Sequence, residues 1–240
     1  MSSTSEGTAR PRALILQHEE PTPPGLVTEW LDSHGATSET IRIDVDDGEV
    51  DPTRYDVIVS LGSEFAAFDD SQPFVPREAR LLRRAVDADV PVLGLCFGAQ
   101  LMARVLGGRC YRSDESEIGW LPVRTTDADL LPEGPWFQWH FDSFELPPGA
   151  TLLAESPLGP QAFLVDRSLG VQFHPEVTPR IMEEWVRAYP HELDAEGVDP
   201  DALMRETFEQ DASNRERAWR LFDAWLERVA GLGAIARGPR

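Results

Sequence analysis

The sequence predicts an α/β fold in which helices flank a parallel sheet. Short apolar runs at 13–17, 55–62 and 91–96 fit buried strands, and helical patterns at 23–35 and 76–90 lie between them. Strands that alternate with helices are typical of βαβ units. The chain is 240 residues long and 41% apolar, which is enough to bury a full core in one domain.

The first half of the chain supports this class element by element. ALILQ (13–17) fits a short buried strand, and the segment after it has apolar residues at helical spacing. TIRIDV (40–45) alternates apolar and polar residues and predicts a second strand. YDVIVSLG (55–62) is rich in β-branched residues and predicts a third.

The next three elements continue the alternation. The helical pattern at 76–90 has Pro76 near its start, where the missing N–H is tolerated. PVLGLC (91–96) predicts a fourth strand. FGAQLMARVLGG (97–108) predicts a helix that ends at two glycines.

The middle of the chain has a different pattern. Four strand-like runs, at 119–124, 136–141, 151–156 and 161–166, follow one another without a helix between them. They predict an antiparallel or mixed part of the sheet, which the run at 169–176 ends. From Pro179 onward the pattern is helical. Its clearest apolar face holds five side chains that we expect to pack on the domain, a contact with a second copy being the alternative: Ala218, Leu221, Phe222, Trp225 and Val229.

Composition disfavours several partners and compartments. The net charge of −20 repels nucleic acid and anionic membranes, so we expect neither as a partner. The N-terminal residues lack the apolar core of a signal peptide, and no run of about 18 apolar residues occurs. The two cysteines, Cys96 and Cys110, are therefore expected to be free thiols in a reducing compartment. These features predict a cytoplasmic protein.

One cysteine lies at a predicted turn between a strand and a helix. The segment Gly94-Leu95-Cys96-Phe97-Gly98 has the spacing of the G-x-S-x-G turn that exposes a nucleophile, with Cys in place of Ser. A helix N-terminus favours the thiolate, and the N–H of Phe97 would face a developing oxyanion. The alternative is a small buried cysteine without chemistry.

A thiol nucleophile also needs a base. His174 ends a strand-like run, two residues before Glu176, and residues i and i+2 of an extended chain point to the same face. Glu176 could therefore hold the imidazole in the orientation and tautomer that a base requires. The order Cys, His, Glu predicts a catalytic triad.

These motifs resemble a known family. PVLGLCFGAQLMARVLGG (91–108) and GVQFHPEVT (170–178) resemble the class I glutamine amidotransferases over about residues 13–190, and EIGWLPV (117–123) with FQWHFDSFELPPGA (137–150) resembles its GMP-synthase-like members. The resemblance implies a flavodoxin-like α/β fold with a mostly parallel central sheet and a helical C-terminal extension. It divides the chain into a disordered tail (1–12), the amidotransferase-like domain (13–190) and the extension packed on that domain (191–235).

The resemblance also implies roles for single residues. Cys96 matches the nucleophile, His174 the base and Glu176 the carboxylate that orients it. Gly62, in SLGS (60–63), matches the backbone donor that completes the oxyanion hole with Phe97. Four further positions are implied to bind substrate: Gln100, His140, Phe141 and Asp142.

The chain departs from the family pattern in two places. Leu61 and Ser63 replace a Gly and a Pro of the oxyanion loop, so its shape could differ or depend on activation. Phe141 replaces a Gly at the substrate rim, which leaves the size of the substrate open. Outside these motifs, His18 is expected at the rim or in a structural role, and Cys110 is expected to be inert.

Two classes of function follow. The enzyme would hydrolyse the γ-amide of glutamine, or of a γ-glutamyl compound, through a glutamyl thioester and without a metal or organic cofactor. Because no G-x-x-x-x-G-K-[ST] loop is visible, ammonia would pass to a separate synthetase, unless the chain acts alone as a γ-glutamyl hydrolase. The alternative class is a non-catalytic regulatory module of the same fold.

Overall fold

The centre of the molecule is a twisted sheet. The computed structural model describes residues 10–232. Nine strands in this part of the chain form the sheet: β1 (Arg12–Gln17), β2 (Thr37–Arg42), β3 (Val57–Ser60), β4 (Val92–Leu95), β5 (Arg109–Thr125), β6 (Gly134–Glu145), β7 (Thr151–Ser156), β8 (Gly159–Val165) and β9 (Ser168–Val171). Their order across the sheet is β2-β1-β3-β4-β9-β8-β7-β5-β6.

The sheet is divided into two parts. The strands β2, β1, β3, β4 and β9 pair in parallel, and every pairing from β9 to β6 is antiparallel. The predicted α/β class is therefore confirmed, but the sheet is not mostly parallel as expected, because four of its eight strand pairings are antiparallel. The helix-free middle of the sequence forms the antiparallel part, because hairpins need no helical crossover.

Helices cover both faces of the parallel part. Their bounds, with two short helical turns, are α1 (Leu26–Ser33), a 3₁₀ turn (Pro52–Arg54), α2 (Phe74–Asp87), α3 (Phe97–Val105), α4 (Pro179–Ala188), α5 (Pro190–Glu196), α6 (Pro200–Ala224) and a π-helical turn (Trp225–Val229).

Strand periodicity sorts the core into two layers. On β1, Ala13 and Ile15 face α1 and α6, whereas Leu14 and Leu16 face α2 and α3. The apolar stripe of α6 and the π-helical turn lies in the first layer and is buried there. A third cluster, in which β6 meets α4 and α5, is built from aromatic side chains such as Trp139 and Trp185.

Some boundaries differ from the sequence pattern. The strand predicted at 40–45 runs from Thr37 to Arg42, and the strand predicted at 169–176 ends at Val171. Beyond Val171 the chain leaves β4, because the N–H of His174 donates to the carbonyl of Phe137 on β6 instead. The predicted tail lies largely outside the described residues, as do the last residues of the extension.

No helix within residues 10–232 is long and apolar enough to cross a membrane.

Candidate active site

Cys96 occupies a strained turn between β4 and α3. Its φ is 49° and its ψ is −106°, a conformation that non-glycine residues rarely adopt. The flanking glycines make the turn possible. A Cβ on Gly98 would lie 2.3 Å from the carbonyl oxygen of Ser60, and one on Gly94 would lie 2.6 Å from the carbonyl carbon of Gly98. The G-x-C-x-G pattern therefore reflects backbone crowding.

His174 and Glu176 form a buried pair beside this turn. The Nδ1 atom of His174 lies 2.8 Å from Oε1 of Glu176. A Cβ on Gly62 would lie 2.8 Å from Cε1 of His174 and 3.6 Å from the Cβ of Cys96, so Gly62 packs against both side chains, which also form a hydrogen bond with each other. Burial opposes the imidazolium, but the negative charges of Glu176 and of Cys96 outweigh it and raise the pKa of His174 to about 10.

The sulphur of Cys96 has two further polar neighbours. The side-chain amide of Gln172 lies 3.6 Å from Sγ, and the carbonyl oxygen of Trp139 lies 4.0 Å from it. Gln172 was missed from the sequence, although it stands two residues before His174. The amide of Gln172 also receives a hydrogen bond of 3.2 Å from Gln100.

Two backbone N–H groups near the thiol remain available. Within residues 10–232, the N–H groups of Gly62 and Phe97 donate to no protein acceptor. Phe97 is the first residue of α3, where the N–H groups point out of the helix. The carbonyl of Leu61 accepts a bond of 3.0 Å from the N–H of Gly98, which joins the loop of Gly62 to the turn of Cys96.

An open cavity lies above Cys96 and His174. Its wall includes all four residues predicted to bind substrate: Gln100, His140, Phe141 and Asp142. The other lining residues come from several segments of the chain: Thr22, Gly62, Ser63, Glu64, Phe65, Arg112, Trp139, Trp185, Tyr189 and Glu192. Because these segments are distant in sequence, only the fold brings them together.

The side chains of two predicted substrate residues, Gln100 and His140, form hydrogen bonds within the protein. The amide of Gln100 donates to the carbonyl of Asp142 at 3.0 Å, and Nδ1 of His140 lies 3.0 Å from the same oxygen. Nε2 of His140 is 3.1 Å from Oε2 of Glu117, an ion-pair distance without the alignment of a hydrogen bond. Glu117 is buried, and its pKa is lowered because His140, Ser156 and Gln161 outweigh the opposing effect of burial.

Phe141 and Asp142 are joined by a residue that sequence reasoning missed. The guanidinium of Arg112 lies 4.7 Å from the centre of the Phe141 ring, and its Nη1 is 3.3 Å from Oδ1 of Asp142. Burial raises the pKa of Asp142 despite this cation. No local motif marks Arg112, which reaches the cavity because β5 pairs with β6.

The remaining wall of the cavity carries acidic and phenolic groups. Glu64 and Glu192 line it, and Oε2 of Glu192 accepts a bond of 2.6 Å from the indole of Trp139. The hydroxyl of Tyr189 is buried without a partner among the described residues, and burial raises its pKa. Arg112 is the one cationic side chain among the described lining residues other than histidine.

The second cysteine lies outside this cavity. Sγ of Cys110 is 2.7 Å from the carbonyl oxygen of Gln100, and burial raises the pKa of its thiol to about 12. In the described part of the chain, no group of three or more His, Cys, Asp or Glu side chains is arranged to hold a metal ion.

The family model of the class I glutamine amidotransferases matches residues 27–187. A GMP synthase (glutamine-hydrolyzing) from Burkholderia mallei is 34% identical over 175 residues, which cover 64% of this chain and 30% of that protein. The corresponding enzyme from Ralstonia pickettii is 34% identical over 189 residues, or 70% of this chain and 33% of that protein. The chain thus spans about a third of the length of these curated relatives.

Solved structures match over almost the whole chain. A glutamine amidotransferase from Thermotoga maritima has a TM-score of 0.83 and 28% identity, covering 93% of this chain and 99% of that one. A glutamine amidotransferase from Methylobacillus flagellatus has a TM-score of 0.84 and 25% identity, covering 97% of this chain and 98% of that one. The expected resemblance is confirmed by fold, sequence and family model together: the chain belongs to the class I glutamine amidotransferase family.

Proposed function

We propose that this chain hydrolyses the γ-amide of glutamine with Cys96 as nucleophile, His174 as acid and base, and Glu176 as the group that orients His174. The observation that carries the proposal is the arrangement around Gly62. The Cys96 side chain, on a strained backbone, and the buried imidazole of His174 form a hydrogen bond beside this glycine, and the imidazole is paired with a carboxylate at 2.8 Å.

The reaction starts from an ion pair. Because the pKa of His174 is raised to about 10, its imidazole carries a proton at neutral pH and can stabilise the reactive thiolate form of Cys96 beside it. The thiolate attacks the γ-carbonyl carbon, and the carbonyl oxygen becomes negative. The free N–H groups of Gly62 and Phe97 stabilise this charge, a contribution that is typically worth 10²–10³-fold in rate per donor.

His174 transfers a proton in both half-reactions. His174 gives its proton to the leaving nitrogen, so ammonia departs and a glutamyl thioester remains on Cys96. The neutral imidazole next takes a proton from water, which attacks the thioester and releases glutamate. Glu176 stabilises the charged imidazole throughout.

The wall of the cavity supplies complementary charges for an amino acid. Asp142, Glu64 and Glu192 offer carboxylates for an α-ammonium group, and Arg112 offers a cation for an α-carboxylate. We assign substrate contacts to His140, Phe141 and Asp142. Gln100 shapes this wall by holding the carbonyl of Asp142.

A second candidate substrate is a γ-glutamyl conjugate. The cavity is open to solvent, and Phe141 with its stacked Arg112 lies on its wall, where the far end of a larger leaving group could lie. A non-catalytic module is disfavoured, because all three triad positions hold residues that can perform the chemistry.

We also propose an ammonia acceptor outside the described chain. The curated relatives are named as glutamine-hydrolyzing GMP synthases, and the matched part is about a third of their length. A separate synthetase that binds over the cavity would receive the ammonia. In this proposal residues 13–190 form the amidotransferase domain, and residues 191–235 are an extension packed on it.

The test is a substrate panel. Purified protein is given L-glutamine and γ-glutamyl conjugates of increasing size, and glutamate release is followed with ammonia in parallel. We expect glutamate and ammonia in equal amounts from glutamine, and neither from Cys96→Ala protein. Turnover of conjugates only would favour the second candidate, and activity that survives in Cys96→Ala protein would refute both.

A further inference from the structure

A buried histidine lies behind the loop that carries Gly62. We call residues 61–64 the oxyanion loop. His18 follows β1, is fully buried, and has both ring nitrogens engaged: Nδ1 lies 3.0 Å from the carbonyl oxygen of Gly62, and Nε2 lies 2.7 Å from Oε2 of Glu78. The other oxygen of Glu78 accepts a bond of 2.6 Å from the hydroxyl of Ser60, immediately before the loop.

The partners of His18 define its charge. Both ring nitrogens face oxygen acceptors, so both carry hydrogen, and His18 and Glu78 form an imidazolium–carboxylate pair. Burial lowers the pKa of His18, but the charge and hydrogen bond of Glu78 outweigh this effect and raise it. The centre of the His18 ring lies 4.5 Å from the centre of the Phe97 ring, and this packing restricts the rotation of the imidazole.

A neighbouring carboxylate holds the other end of the oxyanion loop. Glu19 accepts a bond of 3.0 Å from the hydroxyl of Ser63 and one of 2.9 Å from the N–H of Glu64. Ser63 stands where the family motif has a proline, so the loop lacks that source of stiffness. Instead, the hydroxyl of Ser63 restrains the loop through its hydrogen bond to the buried carboxylate of Glu19.

We infer that His18, paired with Glu78, is a positioning residue that holds the peptide after Gly62 and thereby limits rotation about Gly62, so that its N–H keeps facing the reacting carbonyl. Gly62 has no Cβ to restrict its torsions, so only contacts on its two peptide groups can orient it. Gly98 holds the preceding peptide through the carbonyl of Leu61, and His18 holds the following one. All these contacts come from residues of the same chain. The inference rests on the proposed function.

The test measures the order of the oxyanion loop and the reactivity of the Cys96 thiol separately. A double variant, His18→Leu with Glu78→Met, replaces the buried pair by apolar side chains, because such replacements usually preserve folding. His18→Asn keeps a donor near the Nδ1 position. The matched control is His34→Leu, because His34 is also a buried histidine paired with a carboxylate, Asp223, at 3.0 Å and lies away from the cavity.

Two readouts are expected to change in the double variant. Amide hydrogen exchange of a peptide spanning 60–66 becomes about tenfold faster or more, because the loop opens more often. With glutamine, kcat falls about 10²-fold while KM stays within about threefold, as for loss of one oxyanion donor. Alkylation of Cys96 by iodoacetamide is unchanged, since that reaction forms no oxyanion. The kcat of His18→Asn protein is expected to be about tenfold higher than that of the double variant, because one hydrogen bond to the Gly62 carbonyl is restored.

Three outcomes would overturn the inference. The first is wild-type exchange of the 60–66 peptide in the double variant, which is decisive even if wild-type protein does not hydrolyse glutamine and the proposed function has failed. The second is a loss of alkylation rate equal to the loss of kcat. The third is an equal change in His34→Leu protein, which would mean that any buried pair has this effect.

Discussion

Two buried cysteines of this chain have opposite surroundings at the scale of single residues. Cys96 lies at the N-terminus of α3 beside His174, in a strained turn. Cys110 lies against the carbonyl of Gln100, and the pKa of its thiol is raised to about 12. Because the thiolate is the reactive form, only the first of these sites favours reaction at neutral pH.

Selective alkylation tests this difference. A glutamine-like chloroketone is expected to modify Cys96 and to leave Cys110 unmodified, with activity lost in proportion to labelling. Peptide mass spectrometry after partial inactivation measures both sites. Loss of activity with the label on Cys110 alone would show that the nucleophile has been assigned wrongly.

The pH dependence of activity tests the His174–Glu176 pair. The imidazole must be protonated to release ammonia, so kcat/KM should fall as pH rises through the raised pKa of about 10. In Glu176→Gln protein the largest favourable charge is gone, so this alkaline limb should move to lower pH. Initial rates from about pH 6 to pH 11 measure the shift. An alkaline limb that stays in place would mean that another group supplies the proton.

The sequence could predict Cys96, His174 and Glu176 because their chemistry is local. Each lies in a short motif whose spacing has a physical reason. The partners of His18 are 44 and 60 residues away along the chain, so no local pattern marks its hydrogen bonds. Arg112 was missed for the same reason, since only the pairing of β5 with β6 brings it to Phe141.

At the scale of elements, two helices hold the loop that carries His174 and Glu176. The N–H of Leu26, at the start of α1, donates to the carbonyl of Glu176 at 3.0 Å. From α6, the buried amide of Asn214 donates to the carbonyls of Pro175 at 3.3 Å and Val177 at 3.1 Å. The C-terminal helix therefore supports His174 and Glu176 without lining the cavity.

Substitution of Asn214 tests this support. Asn214→Ala leaves two buried carbonyls without a donor, so the free energy of unfolding should fall by about 1–3 kcal/mol and kcat should fall with it. The adjacent Ser213→Ala is the control, because Ser213 is exposed and bonds only within α6. Denaturant unfolding and steady-state rates measure both effects. Equal stabilities of the two variants would contradict a role for α6 in holding the loop.

Strand β6 carries the proposed specificity residue. Phe141→Gly removes a ring and the surface on which Arg112 rests, so kcat/KM for a bulky γ-glutamyl conjugate should fall about 10- to 100-fold relative to glutamine. Alkylation of Cys96 should be unaffected, because its turn belongs to β4 and α3. Equal effects on both substrates would place Phe141 outside the specificity wall.

The elements themselves were predictable to different degrees. Alternation and β-branched runs identified β1, β3 and β4, which are buried on both faces. The edge strand β2 is largely exposed, so its apolar pattern constrains its position weakly, and the prediction was displaced by three residues. Strand β5 is longer than its pattern indicated, because residues 113–116 are all polar, none of them is buried, and they follow no alternation.

At the scale of the whole molecule, the cavity lies where the two parts of the sheet meet. The parallel strands bring Cys96 and the oxyanion loop to their carboxyl ends, as open α/β sheets generally do for functional residues. The antiparallel part brings β6 over the thiol, so that the carbonyl of Trp139 lies 4.0 Å from Sγ. The fold class was predictable from alternation alone, but this juxtaposition depends on long-range pairing.

The most direct test of the central claim is detection of the covalent intermediate. Wild-type protein is mixed with glutamine, quenched in acid during turnover and digested, and the peptide that contains Cys96 is examined by mass spectrometry. We predict a glutamyl thioester on Cys96 that decays once glutamine is exhausted and is absent from Cys96→Ala protein. Steady glutamate release with no adduct on this peptide, and with activity preserved in Cys96→Ala protein, would contradict the account.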